Sequence, residues 1–169
     1  MACHESVHHP HVLRRFGLTR DSIYAFREVD RGRWLGLTRE QIETNFPGDL
    51  DNFAKDPSWC GHGGETYTQL FNRVIAARDR AIAKAREGGC KSIAIVSHMW
   101  VTKSMITDIQ GVAPTEQDKW SELKVPTASI SLVNYPLKEG GGEAKIDYIG
   151  TKPEVSQDDA AKAASTWGG

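Results

Sequence analysis

The stretch Ser92–Met105, Ser-Ile-Ala-Ile-Val-Ser-His-Met-Trp-Val-Thr-Lys-Ser-Met, decides the fold. Its apolar, β-branched run Ile93–Val96 predicts a buried strand, and the helical spacing after His98 predicts a helix. His98 then lies at the carboxyl end of the strand, where open α/β sheets bind ligands and where a helix start offers backbone N–H groups. Two interpretations stay open: His98 donates hydrogen bonds to a bound phosphate, or it caps the helix or packs in the core.

A long amphipathic helix is predicted before this strand and two further strands after it. Tyr67–Glu87 has apolar residues at helical spacing and ends at Gly88-Gly89, while Ser129–Tyr135 and Lys145–Ile149 have the pattern of strands. The order helix, strand, helix is a crossover unit, which implies a parallel sheet. We therefore expect the α/β class with a mostly parallel sheet.

Three short helices and the domain limits complete the predicted organisation. The helices are expected from Thr38, which has the form of a capping box with Gln41, to before Pro47, and over Asp49–Lys55 and Thr115–Leu123. Residues 1–15 are expected to be a poorly ordered N-terminal segment, 16–150 one α/β domain and 151–169 a polar tail.

The composition excludes several classes of protein. The chain of 169 residues has 25% charged residues and a formal net charge of −1, which gives no electrostatic basis for binding nucleic acid or an anionic membrane. No apolar run has the length of a membrane span, and no signal-peptide pattern is present at the N-terminus. Its three cysteines are widely spaced and predict no disulfide framework. We expect a cytoplasmic protein.

A cluster of histidines near the N-terminus allows two interpretations. His4, His8, His9 and His11 stand close to Cys3, as metal ligands do, but none of the familiar paired ligand spacings is present. The other interpretation is a solvated, tag-like tail, and it leads to a prediction of no metal site.

Three blocks, in this order, resemble the histidine phosphatase superfamily, the phosphoglycerate-mutase-like proteins. The block Arg27–Thr38, Arg-Glu-Val-Asp-Arg-Gly-Arg-Trp-Leu-Gly-Leu-Thr, is similar to the family's acidic-residue block. Gly63-Gly64-Glu65-Thr66, at the start of the long helix, resembles its Gly-Gly-Glu block, and Ile95-Val96-Ser97-His98 its second histidine motif. The resemblance covers about Phe26 to Ile149. It implies a phosphoglycerate-mutase-like fold, which is a three-layer α/β sandwich with a mostly parallel sheet.

The resemblance implies phosphoryl chemistry on a small phosphomonoester, as a phosphatase or a mutase, through a phosphohistidine and without a metal or other cofactor. His98 matches the phosphate-binding histidine, and the N–H of Met99 would add a donor. Glu28 matches the acid that protonates the leaving oxygen and then activates water. Without the resemblance, Glu28 would be a surface carboxylate paired with a neighbouring arginine. Trp34 is expected either at the mouth of the substrate pocket or in the core.

The chain departs from the family at the nucleophile. The family's first strand ends in Arg-His-Gly, and no Arg-His-Gly occurs in these 169 residues. The nearest match is Cys3-His4-Glu5-Ser6, which makes His4 the candidate nucleophile, but no strand is predicted before it and only 23 residues separate it from Glu28.

A missing first strand has a structural consequence, because Ile93–Val96 would then expose an unpaired edge and an apolar face. Self-association through that edge is expected, unless Leu13–Phe26 supplies substitute structure. The function therefore has an alternative: a catalytically inactive relative, or a truncated product, that binds a phosphorylated ligand or a protein partner.

Overall fold

The computed structural model describes residues 24–56, 58–136 and 142–154. Helices dominate this part of the chain. A 3-10 turn at Gly32–Trp34 is followed by five α-helices and two strands: α1 Arg39–Asn45, α2 Asp49–Lys55, α3 Tyr67–Glu87, α4 Met99–Ile109, α5 Gln117–Glu122, β1 Ile130–Asn134 and β2 Lys145–Thr151. Each predicted helix is confirmed. Within the described residues, no helix is long and apolar enough to cross a membrane.

Two helices begin with the same local device. Thr38 accepts a hydrogen bond from the N–H of Gln41 and the Gln41 side chain accepts one from the N–H of Thr38, which is the capping box predicted at the start of α1. Thr66 and Gln69 form the same pair at the start of α3. This second cap fixes where the long helix begins, directly after Glu65.

The core lies between α3 and α4. Leu70 and Val74 of α3 and Val101 of α4 have no exposed surface, and Trp120 of α5 covers them. Burying each aliphatic side chain of this size stabilises the fold by about 1.5–3 kcal/mol. The apolar residues Val101, Met105, Ile106 and Ile109 recur at helical spacing along α4; Val101 and Ile106 are buried, whereas Met105 and Ile109 are half-buried.

The predicted sheet is wrong for the part of the chain that the structure describes. Its sheet has two strands, β1 and β2, which run antiparallel and pair Leu132 with Tyr148 and Val133 with Ile146. Residues 92–98 pair with no strand among the described residues, so Ile93–Val96 is not a strand and no parallel sheet forms there. The physical reason is that a strand is defined by its neighbour: β-branched residues favour extended backbone, but the ladder needs a second chain segment.

The segment is exposed. The side chain of Val96 is 96% exposed and that of Ile93 is 45% exposed. The buried strand predicted for these residues is therefore wrong, whereas an exposed apolar face was expected for a chain that lacks the family's first strand. The carboxyl end of the segment still leads directly into α4, as predicted, so the position of His98 at a helix start does not depend on the ladder.

Candidate functional site

The segment that carries Glu28 is fixed to the start of α3 by one arginine. Arg73 donates to the backbone carbonyl oxygens of Ala25 at 2.7 Å and Glu28 at 3.1 Å. The same guanidinium binds both carboxylate oxygens of Glu65, through Nε at 2.5 Å and Nη2 at 2.8 Å. Arg73 thereby positions residues 25–28.

Two glycines allow the backbone of residues 30–33 to pack directly against the loop 62–65, which precedes α3. The N–H of Glu65 donates to the Asp30 carbonyl at 2.9 Å, and the N–H of Arg33 donates to the His62 carbonyl at 2.9 Å. A Cβ on Gly32, which has φ +51°, would lie 2.3 Å from the His62 carbonyl oxygen, and a Cβ on Gly64 would lie 2.3 Å from that of Asp30. Only glycine permits this packing without displacement of the backbone.

A single hydrogen bond brings the Glu28 and His98 segments together. Ser97 Oγ donates to the Phe26 carbonyl oxygen at 2.6 Å. Ser97 precedes His98 directly, and Phe26 precedes Glu28 by two residues, so this bond links the two segments that carry the candidate residues. Ser97 and Phe26 are 71 positions apart in the chain.

The His98 side chain neither caps α4 nor packs in the core. His98 occupies the N-cap position of α4 with extended backbone, φ −111° and ψ 170°, but its side chain makes no capping hydrogen bond and is exposed. The imidazole is therefore exposed and has no hydrogen-bond partner among the described residues. Met99 is the first residue of α4, where a backbone N–H has no acceptor within the helix. Glu28 is half-buried, and its Oε1 accepts from the N–H of Val29 at 2.9 Å.

A cleft of about 510 Å³ opens beside these segments. Arg31 reaches into its aromatic wall: the guanidinium carbon lies 5.4 Å from the ring centre of Tyr67, 5.5 Å from that of Trp100 and 5.8 Å from that of Phe53. Arg31 also donates to the Tyr67 hydroxyl at 3.2 Å. The remaining lining residues are Trp34, Leu37, Arg39, Ile42, Leu50, Ala54, Gln117 and Ser121.

Trp34 lies in the core, which was one of the two positions expected of it. It is only 6% exposed, its ring stacks on Trp59 at 5.7 Å and meets Phe53 edge-on at 5.4 Å, and its Nε1 donates to Asp49 at 3.1 Å. Trp34 is thus a core residue that also forms part of the cleft wall. Glu28, His98 and Met99 are not among the residues that line this cleft.

His62 lies buried behind the cleft wall and was not predicted as a site residue. Its Nδ1 accepts from the N–H of Gly64 at 2.9 Å, so Nε2 carries the hydrogen, and that atom is buried with no partner among the described residues. Burial lowers the pKa of His62 below its ordinary 6.5, and the positive charge of Arg31 lowers that pKa further.

Lys103 of α4 is buried, although a lysine on a helix is more often a surface charge. It is 5% exposed; its Nζ donates to the Trp120 carbonyl oxygen at 2.7 Å and lies 4.9 Å from the Trp100 ring centre. Burial lowers the pKa of this amine. The signal that could have revealed it is its position on α4 three residues before the buried Ile106 and three after Trp100, an aromatic residue on the same face that its stem can cover.

Two predicted features lie outside the described residues. His4, the candidate nucleophile, is one of them, and so is the N-terminal cluster of histidines with Cys3. Among residues 24–56, 58–136 and 142–154, no three histidine, cysteine, aspartate or glutamate side chains are grouped as metal ligands would be. Cys60 and Cys90 are both free and exposed.

Curated relatives match parts of the chain. A glucosyl-3-phosphoglycerate phosphatase of Mycobacterium tuberculosis is 38% identical over 56 residues, which is 33% of this chain and 23% of that protein. Phosphoserine phosphatase 1 of Hydrogenobacter thermophilus is 23% identical over 108 residues, 63% of this chain and 48% of that protein. The chain thus spans less than half the length of either relative.

Solved structures match a larger share. The mycobacterial glucosyl-3-phosphoglycerate phosphatase in complex with inorganic phosphate has a TM-score of 0.60 at 22% identity, over 78% of this chain and 65% of that one. Bacillus stearothermophilus YhfR has a TM-score of 0.62 at 22% identity, over 76% of this chain and 60% of that one. These matches confirm the phosphoglycerate-mutase-like fold.

The sequence model of one family covers most of the chain. It is the histidine phosphatase superfamily (branch 1), and it matches residues 10–144, which include the Glu28, Glu65 and His98 blocks. The chain therefore belongs to the histidine phosphatase superfamily.

Proposed function

We propose that this chain acts on the phosphoryl group of a small phosphomonoester, as a hydrolase or a mutase. The observation that carries the proposal is the hydrogen bond from Ser97 Oγ to the Phe26 carbonyl oxygen at 2.6 Å, because it links the segments that carry His98 and Glu28 next to a helix start. Family membership gives the chemistry that such a pair serves. The names of the relatives, two of them phosphatases of phosphorylated acids, support the same class of substrate.

In this proposal, His98 binds the phosphate. Its ring is exposed and makes no cap to α4, so both nitrogens are available as donors to phosphate oxygens. The N–H of Met99 at the first position of α4 adds a donor, and the positive end of the helix dipole favours the anion. Together these groups stabilise the charge that develops on the equatorial oxygens during transfer.

Glu28 is the proposed acid and base. A histidine nitrogen attacks phosphorus, the bond to the leaving oxygen breaks, and Glu28 gives that oxygen its proton. Water then attacks the phosphorus of the phosphohistidine, and Glu28 takes a proton from that water. The bond between phosphorus and the histidine nitrogen breaks, and phosphate is released. In a mutase the acceptor is a substrate hydroxyl instead of water. The candidate for the attacking residue is His4, which lies outside the described residues.

A second candidate is a catalytically inactive relative that binds a phosphorylated ligand or a protein partner. The absence of Arg-His-Gly from the sequence favours it, because the family's nucleophile and one phosphate clamp stand in that motif. The exposed apolar segment Ile93–Val96, in which Val96 is 96% exposed, also favours a protein partner. A relative that binds a phosphorylated ligand keeps His98 as a phosphate ligand and differs from the enzyme only in turnover.

The test combines turnover and binding on the whole chain. Hydrolysis of p-nitrophenyl phosphate is measured from acidic to neutral pH for the wild type, Glu28→Gln and His98→Ala, with the exposed Glu87→Gln as a matched control. Loss of the acid is expected to lower kcat by about 10²–10⁴-fold, and loss of the histidine to weaken vanadate binding about 10–100-fold.

The outcomes separate the candidates. Turnover that falls in both site variants and not in Glu87→Gln supports the enzyme. A folded wild type that binds vanadate through His98 without turnover supports the binding protein. Vanadate affinity that is the same in wild type and folded His98→Ala refutes the site for both.

A further inference from the structure

Arg31 is a half-buried cation without a counter-ion in the described part of the chain. Its guanidinium lies among the rings of Phe53, Tyr67 and Trp100, and its hydrogen-bond partner is the neutral Tyr67 hydroxyl. None of the salt bridges between described residues includes it. A guanidinium that is partly removed from water and left without an anion is costly unless a ligand brings one.

Among the residues that the structure describes, none that lines the cleft around Arg31 carries a negative charge. Its lining includes neither aspartate nor glutamate, and its second cation, Arg39, is largely exposed and already paired with Glu43 at 3.2 Å. Gln117 also lines the cleft, and its side-chain Nε2 is buried with no hydrogen-bond partner among the described residues. The cleft therefore offers one charged donor and one neutral donor on an aromatic wall.

The cleft is adjacent to the proposed phosphate site along both chain segments. Arg31 follows Glu28 by three residues, and Trp100 follows His98 by two. At about 3.8 Å between consecutive Cα atoms, these separations cannot exceed about 11 Å and about 8 Å. His98 is thus within about 8 Å, between Cα atoms, of Trp100, whose ring centre lies 5.5 Å from the Arg31 guanidinium carbon, and a single small phosphomonoester is long enough to span such a separation.

We infer that Arg31 determines substrate specificity by binding a carboxylate on the same molecule as the phosphate, with Gln117 as a second donor. A carboxylate fits because its single negative charge balances the single unpaired guanidinium, whose two parallel N–H groups match its two oxygens. A second phosphate would bring a charge of about −1.5 to −2 at neutral pH, which one arginine leaves partly uncompensated. The inference rests on the proposed function, since it concerns the remainder of the phosphomonoester.

The test uses two substrates that differ only in the carboxylate, phosphoserine and phosphoethanolamine. The whole chain, Arg31→Gln and the control Arg80→Gln are compared; Arg80 is exposed on α3 and lies outside the cleft, so the two variants lose the same charge. We expect the ratio of kcat/KM for phosphoserine to that for phosphoethanolamine to fall by about tenfold or more in Arg31→Gln, equivalent to about 1.4 kcal/mol. It is expected to stay unchanged in Arg80→Gln.

A binding measurement makes the inference independent of turnover. Trp34 and Trp100 line the cleft, so both ligands can be titrated by tryptophan fluorescence even if the chain hydrolyses neither. Tighter binding of phosphoserine than of phosphoethanolamine, lost in Arg31→Gln only, supports the inference whatever the turnover. An equal ratio in wild type and a folded Arg31→Gln overturns it, and an effect of the same size in Arg80→Gln reduces it to net charge. Phosphate chemistry with no carboxylate preference refutes the inference alone, whereas loss of all phosphate binding refutes the proposed function.

Discussion

Replacement of Arg73 by methionine tests how the Glu28 segment is held. Arg73 makes four hydrogen bonds, two to the Glu65 carboxylate and two to the carbonyls of Ala25 and Glu28. Its side chain is 16% exposed and that of Glu65 is 9% exposed, so the pair is shielded from solvent. Methionine keeps the apolar stem and removes every donor.

The magnitude follows from what the substitution leaves behind. Breaking a buried ion pair by removing one partner costs about 3–5 kcal/mol, mostly because the other charge stays buried without compensation. Two features favour the lower end of that range: Arg27 lies 3.7 Å from Glu65, and the N–H of Asp30 donates to Glu65 at 3.3 Å. We therefore expect Arg73→Met to lower the free energy of unfolding by about 3 kcal/mol, a large share of the about 5–15 kcal/mol typical of native proteins.

Urea unfolding followed by circular dichroism measures the effect, and a double-mutant cycle with Glu65→Gln isolates the pair. Because the neutral amide no longer needs the guanidinium, the double variant is expected to be less destabilised than the sum of the single variants, by about 1–3 kcal/mol. The control is Arg39→Met, which removes an exposed pair with Glu43 and is expected to cost less than about 1 kcal/mol. An Arg73→Met cost no larger than that of Arg39→Met, or strict additivity in the cycle, would refute the reasoning.

Two further predictions concern His62 and the exposed apolar segment Ile93–Val96. Because the pKa of His62 is lowered in the folded chain, the unfolded chain binds a proton that the folded chain does not, and the free energy of unfolding falls as pH drops below about 6.5. His62→Asn retains an acceptor for the Gly64 N–H and is expected to show a smaller fall between about pH 7.5 and 5 in urea unfolding; an equal fall would contradict the assignment. Val96→Lys is expected to reduce self-association in light scattering, since a lysine on this exposed apolar segment opposes its pairing with a second chain, and a wild type that is a monomer at micromolar concentration would remove the basis of that prediction.

The helices could be predicted from the sequence because their causes are local. The Thr38 capping box, the apolar spacing of Tyr67–Glu87 and the order of residues after His98 each lie within a few turns of chain, and each helix forms where they indicate. The sheet could not be predicted in the same way. Ile93–Val96 has the composition of a strand, but whether it becomes one depends on a neighbour that its own residues do not specify.

The proposed site divides along the same line. Glu28 and His98 were identified through sequence blocks, whereas the interactions that hold them, from Arg73 to two carbonyl oxygens and from Ser97 to Phe26, join residues 45 or more positions apart. Arg31 is the clearest case of what sequence alone could not provide. In the sequence it is one more charge in a charged loop, and only the folded chain surrounds it with three rings and places no carboxylate beside it among the described residues. An arginine proposed to bind a ligand is recognised by the absence of a salt-bridge partner in the described part of the fold. Such a residue can be identified only when the surroundings of each charge are known.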